Sequence, residues 1–344
     1  MNDKQPSLDE WRRLYETADR FRQIECWKWM SDGDLFGVQD PDSGEVGYCG
    51  VLGQLGEVFG LSVYRGAEGL HSYRRVFARD LGYDDTDLLV IMKCLMVEFE
   101  ERSALNSTNR NLIKTLGMNF PGKHAWPQFR SFSPGYFPWF LDASETRFLA
   151  VVLEQAIEIG RRTKETPFLL TPDRGRCLVR VPQKEGGQLV WTDQWLELPD
   201  WKPPSPQPIQ PDEDRISRIH RANYPQKQIW ELDFFYSPSP VQEGKDARPF
   251  FPYVCMVVDQ ESDFILAIEF ESSGTTPQKF VPKLLDLIEE HKIVPQEIQF
   301  KQPETGVLLG PTAQRLNIRL VRVETLQGLD SVRKDFLKSL ARGG

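Results

Sequence analysis

Six prolines among the fourteen residues Leu198–Pro211 constrain this chain more than any other feature. Proline locks φ, donates no backbone N–H, and pushes the residue before it out of the helical region. Neither a helix nor a central strand runs through such a stretch, so it behaves as a semi-rigid spacer. The chain is therefore expected to build two cores. An N-terminal α+β domain would span residues 1–197. A proline-rich linker with a short helix, Asp212–Asn223, would fill 198–227, and a mixed α/β domain would occupy 228–344. With 344 residues in all, each part is long enough to bury a core of its own.

Upstream of the spacer, Leu8, Trp11, Leu14, Tyr15, Ala18, Phe21 and Ile24 share one helical face over Leu8–Cys26. Ser7 and Glu10 have the spacing of a capping box. Strands are predicted at Leu35–Val38, Val46–Leu52 and Val58–Tyr64, a helix at Ala67–Ala78, a long strand at Leu88–Phe99, and a helix at Ser107–Leu116. A further helix starts at Asp142 or Ser144 and runs to about Arg162, and Cys177–Val181 with Gln188–Leu196 reads as a hairpin. Gly44, Gly47, Gly50, Gly53 and Gly56 recur at every third residue. Without proline this is no collagen repeat, and it matches neither phosphate-cradling glycine motif. The expectation is a hairpin turning at Gln54–Glu57, with glycines where backbone or a large ring comes close. The aromatic run from Phe120 to Phe140 is expected to seal the core rather than to offer a stacking platform.

The formal net charge of −8 argues against a dedicated nucleic-acid binder. The basic exception is the tail, with Arg315, Arg319, Arg322, Arg333, Lys334, Lys338 and Arg342. Cys26, Cys49, Cys94, Cys177 and Cys255 are far apart and odd in number, which suggests buried, reduced thiols. With no apolar leader and no long apolar run, a soluble, cytoplasmic protein without a membrane partner is expected. Metal-ligand spacings among His71, His124, His220 and His291 are absent. Cys49 with His71 as a nucleophile and base is outweighed by a buried thiol in a strand.

Downstream of the spacer the order is three strands, a helix over Gln278–His291, a strand at Glu297–Phe300, a helix-like stretch, a strand at Ile318–Val323 and a last helix over Leu329–Leu340. Trp230-x-x-Asp233 opens the first strand, and Pro295-x-x-Ile298-x-x-Lys301 frames a later one. This resembles the core of retroviral-type integrases and related transposases, which have the ribonuclease H fold. The resemblance implies a metal ligand at Asp233, a second acid where this chain has Lys301, and a third on a following helix, for which Asp330 is the best match. Separately, residues 27–70 are similar to the start of bacterial proteins that join two domains of unknown function, which supports the two-domain layout and brings no activity.

Two-metal phosphodiester hydrolysis needs carboxylates converging on cations about 4 Å apart, and an ammonium repels what such a site must hold. The leading expectation is a non-catalytic binding or adaptor protein with a degenerate ribonuclease H-like domain, no cofactor, and a partner the residues do not specify, whether protein or nucleic acid. One alternative is a divergent nuclease using Mg²⁺ or Mn²⁺ at Asp233, Asp330 and one of Asp286, Glu289 or Glu304, with Glu290 on the same helix as Asp286 and Glu289. The other is a nucleic-acid adaptor acting through the basic C-terminal tail. Acids on an exposed helix face are more simply solvating charges.

Overall fold

The computed structural model describes residues 5–77, 85–171, 175–203, 206–271 and 280–342. The fold is α+β and divides into two compact units. Unit 1 comprises Met1–Pro134 and Pro138–Lys202, and unit 2 comprises Gly135–Phe137 and Pro203–Gly344. The division near Lys202 falls inside the proline-rich stretch.

Unit 1 begins with α1 (Leu8–Ile24), whose Ser7 Oγ accepts from the Glu10 N–H while Glu10 reaches back to the Ser7 N–H. Strands β1 (Phe36–Gln39), β2 (Val46–Leu52) and β3 (Gly60–Arg65) are followed by α2 (Gly66–Phe77) and α3 (Asp85–Ile91). Then come β4 (Cys94–Glu100), α4 (Ser107–Thr115), β5 (Trp126–Phe132), α5 (Ala143–Glu165), β6 (Arg176–Glu185) and β7 (Gln188–Glu197). The sheet order is β5-β4-β3-β2-β1-β6-β7, antiparallel throughout except for the parallel β1–β6 pair. Leu14, Tyr15, Ala18 and Phe21 of α1 share one apolar core with Phe148, Leu149, Val152 and Leu153 of α5 and with Val51, Val63 and Val97 of the sheet.

The glycines of this sheet permit close approach. A Cβ on Gly60 would lie 2.0 Å from the Val97 carbonyl oxygen, and one on Gly47 would lie 2.9 Å from the Phe148 ring. Gly53 combines a φ of +139° with the Trp27 side chain 2.7 Å from its Cβ position. The predicted long strand Leu88–Phe99 is corrected: its first residues form the end of α3, and β4 starts only at Cys94. A short apolar run serves either a helix or a strand, and here Leu88 to Ile91 finish a helix before the chain re-enters the sheet. The aromatic run is partly strand. Phe120 and Phe129 are buried, with Tyr15 stacked on Phe120 at 5.9 Å and edge-on to Phe129 at 4.9 Å.

Unit 2 contains α6 (Glu213–Ala222), β8 (Ile229–Tyr236), β9 (Tyr253–Asp259), β10 (Phe264–Glu271), α7 (Phe280–His291), β11 (Glu297–Phe300), α8 (Pro303–Arg315), β12 (Arg319–Arg322) and α9 (Gln327–Arg342). The predicted start of α7 at Gln278 lies outside the described residues. Helix α6, read from the sequence as part of the linker, contributes Ile216 and Ile219 to the unit's core. The sheet runs β10-β9-β8-β11-β12, with β9 antiparallel to both neighbours and β11 parallel to β8 and β12. In sequence order this is 3-2-1-4-5 with only the second strand reversed, the ribonuclease H-like arrangement. β8 shows why the sheet has two covered faces. Trp230, Leu232 and Phe234 enter the core with α7 and α8, while Phe235 joins Leu326, Leu329 and Val332 on the side of α9.

Candidate functional site: a charge-neutral cluster at the end of the unit 2 sheet

Alternation along β8 places Glu231 and Asp233 on the face of Phe235, towards α9. Parallel pairing with β11 sets Phe300 beside Leu232, so the next residue, Lys301, continues the register beside Asp233. Helix α9 then brings Asp330 and Arg333, three residues apart and hence on one face. Two cations and two anions meet here. Lys301 Nζ lies 2.5 Å from Asp330 Oδ1, and Arg333 Nη1 lies 3.6 Å from Asp233 Oδ2. The Arg333 guanidinium also sits 4.0 Å over the Phe235 ring, a cation–π contact that holds the arginine in place.

Neither acid is left open. Asp330 Oδ2 accepts from the Leu326 N–H at 3.1 Å, so both of its oxygens are engaged. Asp233 is buried, at 4 % exposure. Burial pushes its carboxyl up to about 6, against the opposing pull of Lys301, then Arg333 and the Phe234 N–H. Asp233, the acid of the Trp-x-x-Asp frame, thus stands in a dry place beside two cations.

Its neighbour Glu231, which sequence reasoning passed over, has a structural task. Fully buried, it accepts from the Leu329 N–H at 2.6 Å and from Gln260 Nε2 at 3.1 Å. The carboxylate satisfies an otherwise orphaned donor in the first turn of α9. An acid alternating with apolar residues on a central strand was the available signal, because a buried carboxylate always needs donors. Arg333, read from the sequence only as part of the basic tail, belongs instead to this cluster; the signal for that was its i, i+3 spacing from Asp330 on an amphipathic helix.

The other sequence candidates lie elsewhere. Glu304 is exposed in the first turn of α8. Asp286 and Glu289 on α7 both pair with Arg215 of α6, the former at 2.7 Å. They fasten two helices together, as solvating and bridging charges do. In the basic tail, Arg315 pairs with Glu213, Arg319 with Glu297 and Arg333 with Asp233, while Arg322 Nε donates to the Lys301 carbonyl at 3.1 Å. Cys49 is buried with its thiol pushed up by burial, as an inert core residue would be.

Divalent cations of this size take several oxygen ligands. Among the described residues no group of three or more His, Cys, Asp or Glu side chains could hold a metal ion. The donors at the cluster do not fit one: both oxygens of Asp330 are committed, and an ammonium and a guanidinium stand beside the two carboxylates. Also among the described residues, no helix is long and apolar enough to cross a membrane.

A solved structure described as a pre-cleavage Mos1 transpososome is similar at 15% identity over 74% of this chain and 76% of that one. Its TM-score is 0.18; the ribonuclease H-like character of unit 2 lies in its strand order, β10-β9-β8-β11-β12 with β9 alone reversed. No curated protein matches the chain. Residues 11–180 match a family model described as a domain of unknown function (DUF7309), and residues 215–337 match a second, also a domain of unknown function (DUF6930).

Proposed function

We propose that this protein is a non-catalytic binding or adaptor protein, and that its ribonuclease H-like unit carries a salt-bridged cluster where such folds hold metal. The single observation behind this reading is Lys301, which reaches Asp330 at 2.5 Å from the strand position adjoining Asp233. With Arg333 it brings the local charge to zero, two positive against two negative. A divalent cation entering the cluster would meet two fixed positive charges at contact range, where the repulsion is large because the surroundings are partly dry. The same residues connect α9 to the sheet.

The decisive experiment follows melting temperature and nuclease activity with Mg²⁺ and Mn²⁺ added to the whole protein. The expected result is no metal-dependent stabilisation and no cleavage of single- or double-stranded DNA or RNA. A clear rise in Tm with metal would overturn the reading of a cluster closed to cations, and cleavage that disappears in Asp233→Asn would establish the nuclease alternative instead.

A further inference from the structure

Unit 1 contains an open groove of about 940 Å³ between α4 and the neighbouring ends of β4 and β5. Its volume is that of a small-molecule site. Arg110 and Lys114, at i and i+4, share the exposed face of α4 that lines it, with Asn111 beside them. Arg102, which follows β4, supplies a third cation, and its guanidinium lies 5.4 Å over the Trp126 ring. Phe120 braces that ring from its edge at 5.8 Å. Three cations therefore face one acid, Glu101, whose Oε1 is already used by the His124 N–H at 3.3 Å.

This local excess runs against the chain's net charge of −8. Arg110 and Lys114 have no ion-pair partner among the described residues, whereas arginines elsewhere in the unit, such as Arg13, Arg65 and Arg180, are paired. Uncompensated cations held together on a concave surface repel one another unless an anion joins them. Beside them stands a partly buried indole with a planar cation above it, a wall suited to a flat ring. Phosphate chemistry and a planar ring occur together in one ligand class.

We propose that this groove binds a small organic polyphosphate of the nucleotide class, with its phosphates on Arg110 and Lys114 and its ring system against Arg102 and Trp126. The proposal concerns unit 1 and is independent of the cluster in unit 2. Asn111 adds a side chain that both donates and accepts at the mouth of the groove.

Calorimetric titration of the whole protein with ATP tests this, with tripolyphosphate and adenosine as separate arms. ATP should bind, and more weakly as salt is raised. The double charge reversal R110E/K114E should weaken ATP at least about tenfold, or about 1.4 kcal/mol. Both residues are exposed, so an unchanged circular dichroism spectrum and Tm will show that the fold persists. Arg102→Ala should weaken ATP but leave tripolyphosphate as in the parent. No ATP binding, ATP binding unaffected by the double reversal, or tripolyphosphate or adenosine binding as tightly as ATP would each overturn the assignment.

Discussion

Asp233→Asn offers the sharpest check on the cluster. The parent carboxyl stands at about 6 rather than its ordinary 3.8, chiefly because burial disfavours the anion, and the attraction of Lys301 and Arg333 is already included in that balance. A displacement of this size is worth about 3 kcal/mol once the group is fully ionised. Between 3.8 and about 6 the native protein holds a proton that the unfolded chain has released. Stability must then fall as pH rises through that window, and the penalty is complete above it. Asparagine keeps the shape and carries no charge. The variant should match the parent near the acid end of the window and become more stable than it towards neutrality, by up to about 3 kcal/mol. Denaturant unfolding of parent and variant across this pH range reads the difference directly. If Asp233→Asn instead loses most stability at neutral pH, the carboxylate is held by its cations more strongly than burial opposes it, and the reasoning fails.

Four further outcomes are expected. Lys301→Ala should cost less than about 1 kcal/mol, because the pair is about a third exposed, yet it should raise the Asp233 titration midpoint further, as followed by carboxyl-carbon NMR. Glu231→Ala should cost about 2–3 kcal/mol in denaturant unfolding, by leaving the Leu329 N–H and Gln260 amide buried without their acceptor. Gly60→Ala should cost at least about 3 kcal/mol, since its methyl would strike the Val97 carbonyl, whereas Gly56→Ala, with open space and a φ of +78°, should cost about 1 kcal/mol; thermal unfolding separates the two. All five cysteines are buried and free, with the thiols of Cys26 and Cys177 pushed up to about 12 by burial, so a thiol reagent should react only after unfolding.

Much of the layout could be read from residues alone. The prolines after Leu198 interrupt helix and sheet, the capping box at Ser7 starts α1, and the glycine series marks β2 and the turns on either side of it. These are local matters of dihedral freedom and donor count, and they do not depend on what the rest of the chain does. Leu88–Phe99 could not be divided correctly from its sequence, because so short an apolar run has no periodicity that distinguishes strand from helix. Nor did α6 show that it belongs to a core, since Ile216 and Ile219 acquire their meaning only from the helix they meet.

The cluster divides in the same way. That a lysine stands in the metal-ligand frame at position 301 was visible in the sequence, because one strand carries that motif. That Asp330 takes this lysine, that Arg333 takes Asp233, and that Glu231 seats the last helix are facts of the folded state. They join residues 29, 100 and 98 positions apart. Local chemistry decides which charges a segment offers, but only the packing of α9 on the sheet decides which opposite charge each one meets and how much water remains between them.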